Sequence, residues 1–177
     1  MALIRLNNQS VNPVTTLPNL ASLPSGIATG KVLQQQFASF GNSSTSFTSS
    51  SFIATNITDS ITPTSTSSKI FAMVEVPCWV QVNTSGSNDW WTKMDFGLYR
   101  NSSLLVESRI QSASGKSTGA YTYGHSMSMN TFIWQDSPST TSATSYTVYL
   151  KWERLQGTGG YGTYDGRGVI ILTEIEG

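Results

Sequence analysis

Lys69-Ile-Phe-Ala-Met-Val-Glu-Val76 is the stretch whose reading decides the fold. It is nearly all apolar, rich in β-branched and aromatic side chains, and bounded by the turn residues Thr62-Pro63-Thr64-Ser65 on one side and Pro77 on the other. That pattern predicts a central strand, with Pro77 ending it or marking a bulge. Strands are then expected on either side of it. Val169-Ile-Ile-Leu-Thr-Glu-Ile175 reads as a second buried strand, and Tyr146-Thr-Val-Tyr-Leu-Lys-Trp152 as a third. Residues 126–135 alternate. Met127, Met129, Thr131 and Ile133 share one face, and Ser126, Ser128, Asn130, Phe132 and Trp134 share the other.

The same reading extends outward. Val32, Gln34 and Gln36 alternate with Leu33, Gln35 and Phe37. Phe47 and Phe52-Ile53 flank a Ser/Thr run, and Ile57 and Ile61 precede the turn at Pro63. Trp91–Tyr99 forms a strand, Arg100-Asn101-Ser102-Ser103 a turn, and Leu104-Leu105-Val106 the strand after it. Residues 83–89 read as a polar loop tip, 111–119 as a Gly/Ser loop, Asp136-Ser137-Pro138-Ser139 as a turn, and 157–168 as a glycine-rich tip. No segment shows a helical period. About eight to ten strands at regular spacing predict an all-β protein, an antiparallel β-sandwich of jelly-roll type, over residues 31–177.

Residues 1–30 differ. Pro13, Pro18 and Pro24 forbid a regular helix, yet Leu17, Leu20, Leu23 and Ile27 are apolar. An extended arm cannot bury such side chains alone. It is expected to anchor the domain to a partner subunit or a larger assembly.

Composition narrows the function. The 177 residues include 28 serines and 22 threonines, which favours strands and turns over helices. Lys+Arg and Asp+Glu balance at 10 each, so the basic excess of a nucleic-acid binder is missing. No apolar run approaches the ~20 residues of a membrane-spanning helix, and the N-terminal segment lacks the charged and apolar regions of a signal peptide. Cys78 stands alone, which leaves neither an intrachain disulfide nor a cysteine-rich metal site.

Gly115-Lys116-Ser117 resembles the end of a phosphate-binding loop. Such a loop needs a glycine five positions earlier, and Ile110 stands there. His125 is the one histidine, without a carboxylate pair or cysteine cluster beside it in sequence. No two carboxylates stand out as a glycosidase pair. The chain is therefore expected to be no enzyme, with no cofactor and no metal. Exposed aromatic side chains are the stronger signal. Trp90 follows a polar loop, Tyr121 and Tyr123 share a strand face, and Tyr161 and Tyr164 sit among glycines. With His125 they are candidate contacts to a host surface glycan or protein, or to a partner subunit.

Several pieces in order resemble a family of short phage virion proteins, common among tail-fibre and related structural proteins of aquatic phages. They are Leu-Pro-Ser-Gly-Ile-Ala-Thr-Gly-Lys-Val-Leu-Gln (23–34), Ile61-Thr-Pro-Thr-Ser-Thr-Ser-Ser-Lys-Ile70, Leu98-Tyr99-Arg100, Asp136-Ser-Pro-Ser-Thr-Thr-Ser-Ala-Thr-Ser-Tyr146 and Ile171-Leu-Thr-Glu-Ile175. The resemblance covers roughly residues 20–177. It implies a non-enzymatic module on the virion surface that assembles as a homotrimer beside other tail or capsid proteins. Two roles fit: a tail-fibre or receptor-binding module for host attachment, or a capsid decoration (cement) protein. A carbohydrate-binding module is a remoter third.

Overall fold

Every strand pairing among the described residues is antiparallel. The structure is a computed structural model that describes residues 30–40, 45–47, 49–84, 89–116, 122–154, 158–161 and 167–177. The strands are β1 (Val32–Phe40), β2 (Thr45–Phe47), β3 (Ile53–Ile61), β4 (Lys69–Thr84), β5 (Asp89–Arg100), β6 (Ser103–Lys116), β7 (Thr122–Asp136), β8 (Thr144–Arg154), β9 (Thr158–Tyr161) and β10 (Gly168–Ile175). No helix occurs among the described residues.

The stretch around Lys69–Val76 does form a central strand. On one side β4 pairs with β7 along its whole length. On its other side it pairs first with β10, from Lys69 to Glu75, and then with β9, from Cys78 to Gln81. β1 continues the sheet beside β10, and β2 beside β9. β1/β2 and β9/β10 are thus two interrupted strands, and this sheet, sheet A, is in effect four strands wide. Sheet B has the order β3-β8-β5-β6.

The two layers close on one core. Burial alternates strictly along β10, and even-numbered residues face in. Ile70, Ala72, Val74, Val76 and Cys78 of β4, with Ile170 and Leu172, form the inner face of sheet A. Ile57, Ile61, Met94, Phe96, Leu98, Tyr146, Val148, Leu150 and Trp152 form that of sheet B. Phe96 and Phe132 stack across the gap, with ring centroids 4.3 Å apart and planes 6° from parallel. Each fully buried aliphatic or aromatic side chain here contributes on the order of 1.5–3 kcal/mol. The protein is an all-β antiparallel sandwich.

Two local expectations change. β4 neither ends nor bulges at Pro77; it runs on to Thr84 in unbroken register with β7. Pro77 lies where β4 exchanges β10 for β9, between Glu75 and Cys78, so on that side no described strand residue is in register with it. The Gly/Ser stretch expected as a loop from 111 is strand as far as Lys116, because Gln111–Lys116 pair with Asp89–Met94 of β5. The turn at Asn101 holds: its backbone is left-handed, with φ 53°, a conformation asparagine tolerates. Its N–H donates to the Ser145 carbonyl, and its side-chain oxygen accepts from the Ser145 N–H.

Candidate functional site

The strands present two outer faces of different chemistry. Outward positions of β5, β6 and β8 carry charge. Lys93 of β5 pairs with Glu153 of β8 at 2.5 Å. Asp95 takes Arg109 at 3.1 Å and Lys151 at 3.7 Å, and Lys151 also holds Glu107. That contact keeps the Lys151 ammonium above its ordinary pKa, while Lys93 holds the Glu153 carboxyl below its own. Beside this network Tyr99 packs on Tyr149 at 4.0 Å, Phe52 meets Tyr99 edge-on, and the Lys151 ammonium lies 4.8 Å over the Phe52 ring. Gly97 makes room for this: a Cβ there would stand 3.0 Å from both Phe52 and Tyr99.

Among the described residues the outer face of sheet A has no such ion-pair network. Its rows run across the strands in register. One row is Phe37–Ile171–Met73–Ile133, all apolar, contributed by β1, β10, β4 and β7. The next row, Ser39–Val169–Glu75–Thr131, is polar apart from Val169; beyond it come Pro77, itself buried, opposite Met129 and Trp79 opposite Met127. Phe37 is 63% exposed, Ile133 67%, Met129 52%, Met127 49% and Met73 40%. Lys69 and Glu75 are the charged groups among the outward positions of β4.

Behind that face two carboxylates line one end of the core, either side of Ile70. Glu174 and Asp136 are its register neighbours on β10 and β7. Burial opposes ionisation of Glu174. The Gln34 amide and the Thr64 N–H and hydroxyl that bond to it outweigh that cost and hold it down at about 2. Gln34 donates at 2.6 Å, and both Thr64 donors lie at 2.7 Å. Asp136 accepts two bonds from Arg100, each at 3.0 Å, and one from the Tyr146 hydroxyl at 2.7 Å, which ties sheet A to sheet B. Burial, then Asp136, push the Tyr146 phenol well up. Burial likewise pushes the Cys78 thiol up, so it is an inert core group. Among the described residues no cluster of His, Cys, Asp and Glu could hold a metal ion.

Of the residues expected to make contacts, Leu17, Leu20, Leu23, Ile27, Tyr121 and Tyr164 lie outside the described residues. Trp90, Tyr123, His125 and Tyr161 are described through their backbone. Trp90 is in register with Gly115, Tyr123 with Asn83, His125 with Gln81, and Tyr161 with Cys78. Trp90, Tyr123 and His125 lie toward the end of the sandwich where the chain passes from β4 to β5 and from β6 to β7; Tyr161 lies nearer the middle of β4. Val32, the first residue of β1, pairs with Ile175, itself in register with Lys69, at the opposite end of β4. The apolar face of sheet A was not singled out from sequence. The alternation over 126–135 was its signal.

No protein-family model matches the chain, and no curated protein matches it. Solved structures do match. One, described as a crystal structure of the T13 IBDV viral particle, is 10% identical, with a TM-score of 0.35. The match covers 80% of this chain and 31% of that one, so this chain spans less than a third of that protein's length.

Proposed function

We propose that the chain is a structural protein of a phage particle, an attachment module held by its N-terminal segment, whose far end contacts the host. The carrying observation is the separation of two ends. The strand that follows residues 1–30 begins beside Ile175 and Lys69, while Tyr123 and His125 lie toward the other end of β4 and Trp90 at the start of β5, which follows it. The order of pairing supports a jelly roll, the sandwich common in capsid and lectin domains. With β1/β2 and β9/β10 each counted as one, first pairs with last (β1 with β10), second with second-last (β3 with β8), and so inward to β4 with β7 and β5 with β6. This is the pairing order of one long antiparallel hairpin rolled into two sheets, among the described strands. The resemblance of residues 20–177 to short virion proteins agrees with this reading.

A cement protein of the head is the second reading, favoured by the lack of shaft-like repeats in these 177 residues. Copy number separates the two. Quantitative mass spectrometry of purified particles is expected to give a few copies per particle, lost on deletion of residues 1–29. Hundreds of copies would replace attachment by cement. A glycan array with Tyr161→Ala and Tyr164→Ala chains tests the contact end, and unchanged binding would remove those tyrosines from the account.

A further inference from the structure

We propose that the outer face of sheet A is a self-association surface, on which a second copy of this chain packs face to face about a two-fold axis. The size of the face fits. Strands lie about 4.8 Å apart and rise about 3.3 Å per residue, so four strands along Lys69–Trp79 present roughly 700 Å². A specific interface takes about 800 Å² from each partner, so a face of this size, with its apolar row flanked by the polar rows of Gln35 and Glu75, is of the right order.

The chemistry names the occupant. A cyclic, head-to-tail assembly needs a second apolar surface to receive this one. The outer face of sheet B receives it poorly: Trp91 and Leu104 are exposed there, but the ion pairs of Lys93, Asp95, Arg109, Lys151, Glu107 and Glu153 cross the face between them. The surface that matches this face is the same face on another copy, with the two Phe37–Ile171–Met73–Ile133 rows side by side across the axis and each lying over the Gln35–Thr173–Phe71–Gln135 row of the other. Charge fixes the register. Among the described residues neither Lys69 nor Glu75 has an ionic partner within the chain. They lie three residues either side of Ala72 on β4. A two-fold axis through that point sets Phe71 against Met73 of the other copy, and Lys69 against Glu75, twice.

The experiment is sedimentation velocity on the full chain across a concentration series, with circular dichroism confirming that each variant folds. The wild type is expected to form a species of twice the 19.2 kDa chain mass. Ile133→Asp, at an exposed position that leaves the core intact, is expected to weaken association roughly a hundredfold, since each two-fold contact is lost twice. Lys69→Glu and Glu75→Lys each place like charges opposite one another and weaken it by about tenfold, while the double swap K69E/E75K restores it. A monomer at all concentrations, a trimer, or a folded Ile133→Asp chain that still pairs overturns the proposal. Failure of the double swap to restore pairing overturns the register.

Discussion

The two outer faces of the sandwich show what each sheet is built to meet. On sheet B, positions pointing away from the core are finished with cross-strand ion pairs and with aromatic rings laid over Gly97. Such pairs are each worth little in water, but they make a face compatible with it. On sheet A the same geometric positions hold Phe37, Met73, Ile133, Met127 and Met129. The inner faces are alike, and both bury a continuous apolar surface. The difference is therefore not a demand of folding. Burying the core uses one face of each sheet, and what stands on the other records the surroundings.

Removing the tie between the sheets is expected to have the largest effect. Asp136→Ala strands the Arg100 guanidinium and the buried Tyr146 hydroxyl, and a loss of about 3–5 kcal/mol is expected in urea unfolding. Tyr146→Phe, which removes a single donor, should cost only about 1 kcal/mol. Next comes the other carboxylate behind sheet A. Glu174→Gln is expected to cost about 2 kcal/mol at neutral pH, because bonds to a charged acceptor become bonds to a neutral one. The folded protein holds Glu174 ionised, down to about 2, against an ordinary 4.5. Its contribution is thus intact above pH 4.5 and lost as pH falls through about 2. Thermal unfolding followed from pH 7 to pH 2 should show a steeper acid decline in the wild type than in the Gln variant.

A smaller effect is expected on the outer face of sheet B. Asp95→Ala leaves Arg109 and Lys151 without their shared carboxylate. It should cost about 1–2 kcal/mol, more than an isolated surface pair, because Asp95 is itself buried. The smallest effect is expected where exposure is greatest. Ile133→Thr and Met129→Thr on sheet A should change monomer stability by no more than about 0.5 kcal/mol, measured at concentrations too low for association. A large loss there would mean that this face supports the fold, and the contrast between the sheets would fail.

The fold was legible where local pattern and tertiary role coincide. The apolar run at Lys69–Val76 is central, Val169–Ile175 is buried on alternate positions, and Arg100–Ser103 is the expected turn. Three features were not legible. The alternation at 126–135 was plain, but hydrophobicity ranks the methionine row as the better core. The structure instead turns Asn130, Phe132 and Trp134 to the inward columns. Phe132 finds Phe96 there, and the Asn130 amide donates to the Ser128 hydroxyl and the Val76 carbonyl. Gln111–Lys116 has the composition of a loop and becomes strand through a distant partner, Asp89–Met94. Pro77 is tolerated because of a change of neighbours that no local signal announces. Of the candidate contact residues, the topology puts Trp90, Tyr123 and His125 toward one end and Tyr161 nearer the middle of β4, a placement that spacing alone does not show.

The most direct measurement is chemical labelling of both faces in one sample as concentration rises. Methionine oxidation reports sheet A through Met73, Met127 and Met129, with the buried Met94 as internal control; lysine acetylation reports sheet B through Lys93 and Lys151. If sheet A is the face that a second copy covers, oxidation of the three outer methionines falls with concentration, and acetylation of the two lysines does not. Oxidation that stays constant at every concentration, or protection that appears on sheet B instead, contradicts it.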